Sequence, residues 1–395
     1  MSEKLRILFL PRWYPNRYDS MPGLFIQRQA EALTRLCNVA VIYVHPDKDC
    51  PNKYEVEFAD EKGVRVLRVY YKIPASGDNL ITGIVKIFRY YRAAMKAADS
   101  IRQFEPQLIH AHILTRMGFI AWRISRKNKT PFIISEHWSR YFTENGSYAG
   151  IIRKMVTRFI VKRAAALIPV SEKLKEAIQR HGIHNKFVTV IPNVVDTSLF
   201  IPRPKETPGK TKIILHVSCF DDKSKNITGL LRVLKSLSSK RQDFQCLFVG
   251  EGPDFNTIQQ YAEGLKIIDI FAVFKGREEP EILAQEMAAA DFSVLSSCYE
   301  TFATVLVESL SCGTPVVATR TGIAESIIND QNGLLVTPGD EASLEAAIDR
   351  MLDTCRSYSQ DMVRASLPPD FSSASVGNKL VDVYNAVLKK MQTNE

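Results

Sequence analysis

Ser296-Ser-Cys-Tyr-Glu-Thr-Phe-Ala-Thr-Val-Leu-Val-Glu-Ser-Leu-Ser-Cys-Gly-Thr-Pro-Val-Val-Ala-Thr319 decides how this chain is read. The apolar run Phe292–Ser297 is a buried strand that ends at Ser297, and a short polar loop carrying Glu300 follows. A helix begins near Ala303 and stops at Cys312-Gly313, where glycine can take a left-handed cap; Pro315 opens the next strand. Strand, loop, helix, turn and strand in about two dozen residues is one turn of a parallel sheet wound with helices.

Outward from this unit the same rhythm fills the chain. Upstream, short β-branched runs recur at Arg6–Leu10, Val39–Val44, Val64–Tyr71, Leu108–Ile113, Phe132–His137, Ala166–Ser171 and Val188–Asn193. The second half has runs at Ile213–Phe220, Cys246–Gly250, Ile270–Gly276, Phe292–Ser297, Pro315–Thr319 and Gly333–Thr337. Amphipathic stretches such as Gly23–Leu36, Asn79–Phe104 and Glu341–Leu352 lie between them. The fold class is α/β. Phe200-Ile-Pro-Arg-Pro-Lys-Glu-Thr-Pro-Gly-Lys210 reads as an extended linker. It sets seven strands before it and six after, in two doubly wound Rossmann-like domains facing a central cleft.

Length and composition agree. The 395 residues suit two domains, each large enough for its own core, and 45% apolar with 24% charged residues excludes disordered and fibrous classes. No charge-free stretch exceeds eleven residues, far short of the ~20 a spanning helix needs. The N-terminus has no signal-peptide pattern. Seven scattered cysteines without a C-x-x-C pair read as buried thiols of a cytoplasmic protein. The net charge of +9 is unevenly spread: residues 1–200 hold 32 basic against 17 acidic side chains, residues 201–395 hold 20 against 26.

Candidate chemistry centres on the opening stretch. A helix N-terminus at a strand's C-end offers unpaired N–H groups and the positive end of a dipole to an anion. Glu300 at its mouth and Glu308 a turn and a half inside could serve a sugar and a ribose hydroxyl. On spacing alone, a dipole partner and a solvated helix residue explain the two glutamates equally well.

Glu300-x7-Glu308 followed by Ser-Leu-Ser-Cys-Gly-Thr-Pro resembles the signature of retaining, nucleotide-sugar-dependent GT-B glycosyltransferases of the family 4/group 1 type. The resemblance spans nearly the whole chain. Trp13-Tyr-Pro with Gly23-Leu-Phe-Ile-Gln-Arg-Gln is similar to the first glycine-containing loop of the acceptor domain, and Glu136-His137, Val170-Ser171 and Ile191–Asp196 match later landmarks. His216-Val-Ser, Lys225-Asn226, Gly250-Glu-Gly-Pro, Thr319–Glu325 and Asn332–Val336 continue the series. The resemblance implies an acceptor-binding domain over 1–200, joined by a C-terminal helix within 372–395, and a nucleotide-sugar-binding domain over 201–371. It implies Glu300 at the donor sugar, Glu308 at the ribose, and backbone N–H groups of Phe302, Ala303 and Thr304 on the diphosphate. Lys225 is implied as the cation stabilising the leaving group, with a surface lysine before a helix capped by Asn226 as the plainer explanation. His137 is implied at the donor sugar or acceptor approach, against a structural histidine such as His110 and His112. Gly23 is implied where backbone approaches a phosphate, against a turn glycine.

Two positions depart from the family. Ala303 stands where glycine is usual, and Asp221 and Phe220 occupy the region where an arginine commonly precedes the lysine; Lys223 is a substitute without the arginine fork. The resemblance implies no metal and no cofactor, the nucleotide sugar being a co-substrate, and Asp47-Lys-Asp49 is the sole Asp-x-Asp considered.

The basic half suggests partners. Lys62 to Lys96 holds eight cations and one acid, Asp78; Arg116 to Arg163 holds eleven cations against Glu136 and Glu144. A solvated face is the ordinary explanation, and adsorption to an anionic membrane the sharper one. Nucleic acid fits the pI near 9.1 but has no helix-turn-helix, RNA-recognition or zinc-finger pattern behind it. The expected function is transfer of a sugar from a UDP- or GDP-sugar to a glycan or lipid-linked acceptor with retention of configuration, in cell-surface polysaccharide synthesis. Alternatives are a sugar-nucleotide epimerase or phosphorylase, or a non-catalytic sugar- or nucleic-acid-binding protein.

Overall fold

Two parallel sheets organise the chain. The computed structural model describes residues 3–73, 80–114, 116–204 and 209–393, the side chains of 80–82 excepted. The first sheet contains β1 (Leu5–Pro11), β2 (Cys37–Asp47), β3 (Tyr54–Glu61), β4 (Val64–Lys72), β5 (Leu108–His112), β6 (Phe132–Glu136) and β7 (Leu167–Pro169). Their spatial order is β3-β4-β2-β1-β5-β6-β7. The second contains β8 (Lys212–Val217), β9 (Phe244–Val249), β10 (Ala272–Gly276), β11 (Phe292–Leu295), β12 (Val316–Thr319) and β13 (Gly333–Val336), ordered β10-β9-β8-β11-β12-β13. All neighbours are parallel except β3 and β4.

The expected seven and six strands are present among the described residues, but one of the seven is a different strand. Val188–Asn193 forms no regular strand: it lies along the β7 edge with one bridge, Val188 to Leu167, and backbone bonds from Thr189 N to Leu167 O and Ile191 N to Pro169 O. Its place in the count is taken by β3, an edge strand that alternates between half-buried and exposed positions. A search for continuous apolar runs passes over such a strand, because one face stays in water.

Two units emerge. One comprises residues 1–141, 147–194 and 373–395, the other residues 142–146 and 195–372. In the first, Ile7, Phe9, Val39, Val41 and Leu108 share a core with Val376, Leu380 and Tyr384 of the C-terminal helix Ser373–Gln392. In the second, alternate strand residues point to opposite faces. Ile214, Cys246 and Phe248 enter one core, and Leu215, Leu247 and Val249 the other. Phe200, at the head of the expected linker, is buried in the latter core. Lys205–Pro208 of that linker, together with Asp78, Asn79 and the Ile81 side chain, lies outside the described residues.

Each sheet reverses its strand order once. In the first, the chain winds outward from β1 and returns to β5; in the second it winds outward from β8 and returns to β11. The loops leaving such neighbours diverge to opposite faces and open a crevice at the strand C-ends, where ligands of doubly wound sheets bind. That topology fixes where to look in each unit.

Candidate functional site

The second unit's crevice brings Lys225 and Glu300 together. Lys225 ends the short helix Asp222–Lys225 in the loop after β8, and Glu300 sits in the loop after β11. Lys225 Nζ lies 2.5 Å from Glu300 Oε1, with 15% and 12% of the two side chains exposed. Burial works against the Lys225 ammonium, but the adjacent Glu300 carboxylate outweighs it and raises the lysine above its ordinary value. Ser297 Oγ donates to the same Glu300 oxygen at 2.8 Å, and Ser296 Oγ to the Lys225 carbonyl at 2.8 Å. Cys298 N donates to Ser224 O at 2.8 Å, so the two loops are stitched through backbone as well. The surface-lysine explanation therefore does not fit Lys225. Asn226 does not cap the next helix either: its side chain makes no capping bond, and Asp222 instead accepts from Thr228 N at 2.8 Å and Thr228 Oγ1 at 2.6 Å.

Behind this pair lies the helix Thr304–Ser311. Ala303 is its N-cap with φ 73° and ψ 63°, and no side chain caps it; Leu306 N closes on Ala303 O at 3.1 Å, and the N–H groups before it have no intrahelical partner. The sequence reading put Ala303 on the helix; it stands instead in the left-handed region, which explains a preference for glycine here. Phe302 is buried at the loop's end, and Glu308 is 8% exposed inside the helix, not a solvated residue. Lys223 is exposed and donates to the Asn145 carbonyl at 3.0 Å. Glycines shape the surrounding loops. A Cβ on Gly250 would lie 2.0 Å from Ser218 O, and one on Gly252 2.5 Å from Phe220 N.

In the first unit, residues after β1, β5 and β6 converge. His137 is 6% exposed; its Nε2 is 3.4 Å from His112 Nδ1, and its ring packs on Phe25 at 4.6 Å. His112 stacks on His110, whose Nδ1 meets Tyr384 OH at 2.9 Å and whose Nε2 lies 2.7 Å from Ser135 Oγ. Burial pushes His137 down to about 3, Asn193 partly opposing, and holds His110 and His112 well below their ordinary value. His137 is thus neutral near pH 7. Glu136 beside it is fully buried and accepts from the N–H groups of Leu114, His137 and Trp138 and from Tyr141 OH; burial nevertheless raises its pKa. Gly23, the N-cap of the helix Leu24–Leu33, has φ 75°, and a Cβ there would lie 2.1 Å from Trp13 O. The close approach at Gly23 is made by Trp13 backbone, which alone requires glycine.

Three side chains that the sequence reading passed over gather at these strand ends. Arg12 Cζ is 4.7 Å and Arg140 Cζ 3.3 Å from the Trp138 ring centroid. Their signal was an arginine beside a tryptophan at the end of two separate strands, in Arg12-Trp13 and Trp138-Ser-Arg140. Elsewhere, Asp47, Cys50 and Glu55 come together, and the Arg17 guanidinium pairs with both of these carboxylates and with Glu57. The cysteines are all free, but Cys219 is exposed and Cys298 half-buried, against the expectation of buried thiols. No helix among the described residues is long and apolar enough to cross a membrane.

Residues 23–199 match the family described as Glycosyltransferase Family 4, and residues 198–366 that described as Glycosyl transferases group 1. The chain belongs to the family 4/group 1 glycosyltransferases. A protein of Bacillus subtilis named for teichuronic acid biosynthesis, the glycosyltransferase TuaC, is 24% identical over 366 residues, 88% of this chain and 89% of that one. Sucrose-phosphate synthase from Thermosynechococcus elongatus superposes with a TM-score of 0.79 at 20% identity, covering 98% and 100% of the two chains. HepE of Anabaena, solved with UDP and glucose, gives 0.71 at 18% identity over 96% and 99%. This glycosyltransferase therefore has the GT-B architecture, and the C-end crevices of β8/β11 and β1/β5 are those of its two Rossmann-like domains.

Proposed function

We propose that this glycosyltransferase moves a sugar from a UDP- or GDP-sugar to a glycan or lipid-linked acceptor with retention of configuration, without a metal ion, in cell-surface polysaccharide synthesis. The observation that carries the reading is the Lys225–Glu300 pair at the point where the second sheet reverses, beside an uncapped helix N-terminus. Diphosphate departure develops negative charge. A buried lysine and fixed N–H dipoles answer it without reorganising. Phe302, Ala303 and Thr304 supply those N–H groups, and Glu308 binds the ribose. Glu300 holds Lys225 until the donor's phosphates compete for it, and then faces the sugar. Neutral His137 acts as a hydrogen-bonding group to the sugar, and Gly23 keeps its loop low enough for phosphate to pass.

Calorimetry with UDP- and GDP-sugars tests the site. Lys225→Ala and Glu308→Ala are each expected to weaken donor binding tenfold or more, while Glu300→Ala chiefly slows transfer. Unchanged donor binding in both of the first two overturns the assignment. A ligand at about 100 times its dissociation constant stabilises by ~2.7 kcal/mol, so a thermal-shift screen identifies the base.

The acceptor reading extends to an anionic membrane surface at which the enzyme works as a cytoplasmic, peripheral protein. The helix Leu80–Ser100 buries Tyr90, Ala93, Ala94 and Ala97 and leaves Ile84, Ile87 and Phe88 exposed; the helix Ile151–Arg163 exposes Ile151, Ile152 and Met155 among five cations. Apolar side chains ringed by cations suit the headgroup region of anionic lipid. Co-sedimentation with anionic vesicles but not neutral ones is expected; equal binding to both, or to neither, rejects it.

A further inference from the structure

Among the described residues, Arg12 and Arg140 form no ion pair, and the one carboxylate whose charge acts on both is the buried Glu136. Arg12 follows β1 and Arg140 follows β6, and β5 lies between these strands, so both stand at the crevice of the first sheet. Arg140 is 7% exposed and lies over the Trp138 ring, against which Trp13 packs edge-on at 5.2 Å. Among the described residues neither arginine forms an ion pair, and the Nε of each is buried without a hydrogen-bond partner. The nearest acid, Glu136, has its oxygens committed to three backbone N–H groups and a tyrosine hydroxyl. The other charges near the pair are positive: Arg116 acts on Arg12, and Arg153 on Arg140. Burial and this mutual repulsion hold both guanidinium groups below their ordinary value. Buried cations persist when paired; buried Arg140 and half-buried Arg12, unpaired and set over one indole, are preorganised for an anion supplied from outside. The planar guanidinium fork matches phosphate oxygens.

We propose that the Arg12–Trp138–Arg140 stack binds a phosphate group carried by the acceptor, making the acceptor a phosphorylated or lipid-phosphate-linked sugar rather than a neutral glycan. The assignment rests on the sugar-transfer reading and narrows its acceptor. Contact with the Trp138 ring holds both guanidinium groups beside one indole and leaves their terminal N–H groups for the oxyanion. The spent donor's diphosphate is a separate ligand, held by Lys225 in the other unit.

The chain's three tryptophans make the site observable, since Trp122→Phe leaves only Trp13 and Trp138 to fluoresce. The full chain bearing that change is titrated with inorganic pyrophosphate, and separately with phosphatidylcholine vesicles with and without polyprenyl phosphate. A saturable emission change is expected from at least one phosphate source and not from plain vesicles; which source works separates a soluble from a lipid-linked acceptor. Arg12→Gln is expected to weaken that response tenfold or more, Arg12→Lys and Arg140→Lys to weaken it less, and Lys225→Ala to leave it unchanged. Calorimetry of the unaltered chain with pyrophosphate gives a second readout free of the Trp122 change, in which binding that survives Lys225→Ala is the expected result. No saturable response in either measurement, or an affinity indifferent to Arg12→Gln, overturns the proposal. Donor binding keeps the readings apart: an unaltered chain that binds no nucleotide sugar defeats the sugar-transfer reading, whereas nucleotide-sugar binding in a chain with no Arg12-dependent phosphate response defeats this proposal alone.

Discussion

Ala303 holds a backbone conformation that suits glycine, at φ 73° directly before the helix that carries Glu308. A β-carbon in the left-handed region costs about 1–2 kcal/mol, partly offset by the freedom glycine would lose on folding. Ala303→Gly is therefore expected to stabilise the second unit by up to about 1 kcal/mol, read as a higher urea midpoint at unchanged slope. A lower midpoint would show that the methyl's packing outweighs the backbone strain. Lys225 and Glu300 are a different residue-scale case, because each keeps the other's buried charge affordable. Removing one partner strands the other, so Lys225→Ala and Glu300→Gln are expected to be non-additive. The double variant should recover about 1 kcal/mol or more relative to the sum of the singles, measured by a double-mutant cycle of unfolding free energies. Additivity would mean the pair is held by its surroundings rather than by itself. Glu300 and Glu308 stood out in the sequence through the resemblance of Glu300-x7-Glu308 to a family signature, since spacing alone left a dipole partner and a solvated helix residue equally open. The grouping of Arg12, Trp138 and Arg140 was not legible, because Arg12-Trp13 and Trp138-Ser-Arg140 are each ordinary sequence on their own and Arg12 lies 126 positions from Trp138.

Gly322 acts on the level of a whole loop. It has φ 54°, and a Cβ there would lie 2.5 Å from Phe302 O and 3.1 Å from Glu300 Cβ, while the next residue, Ile323, donates from its N–H to that same Phe302 carbonyl at 3.1 Å. The turn after β12 thereby supports the β11 loop from behind. Thr319 reinforces it through a 2.7 Å bond from Oγ1 to the Ser297 carbonyl. Gly322→Ala is expected to push the Phe302 segment forward and to weaken donor binding at least tenfold, with the secondary structure kept by circular dichroism. Donor affinity equal to the parent's would show that this support is dispensable. The helix's other end is tied by Arg364, which donates to the Ser311, Thr197 and Phe200 carbonyls, a cation placed where the helix dipole favours it. Most elements were legible because parallel strands buried on both faces are written as continuous apolar runs. The exception is instructive: β3 pairs antiparallel with β4 at an edge and shows water one face, so its Tyr-Glu-Val-Glu-Phe-Ala-Asp-Glu alternation carries no such run. Val188–Asn193 has the apolar composition of a strand and runs along the outer edge of β7, where Thr189 N donates to Leu167 O and Ile191 N to Pro169 O, both at 3.2 Å, but only Val188 completes a bridge, too little regular pairing to make a strand.

Charge at the scale of the molecule is divided between the halves of the chain, 32 basic against 17 acidic residues in 1–200 and 20 against 26 in 201–395. The buried histidines are divided too, and they make that scale testable by pH. His110, His112 and His137 lie in the first unit, and His216, which burial lowers to about 4, lies in the second, bridging Val294 O and Ser218 Oγ. Each is neutral when folded and takes up a proton near pH 6.5 when unfolded. The unfolded state then binds more protons, so the stability these histidines confer is complete above about pH 6.5 and is lost as pH falls from there toward their depressed folded values. The loss amounts to about 1.4 kcal/mol per pH unit for each histidine. Glu136, raised by burial, runs the other way and offsets part of the slope in the first unit, whereas carboxylates lowered by arginine or lysine partners, such as Asp243, contribute only below about pH 4.5. Between pH 6.5 and 4.5 the first unit is therefore expected to lose stability faster than the second. Calorimetric unfolding that is closest to a single transition near pH 7 should separate on acidification, the earlier transition moving down with a steeper pH dependence. His112→Asn is expected to flatten that dependence, and hydrogen exchange should place the early transition in β1, β5 and β6. Equal pH slopes for the two units, or an early transition in β8 and β11, would contradict the assignment of the acid-sensitive charge to the His110–His112–His137 row.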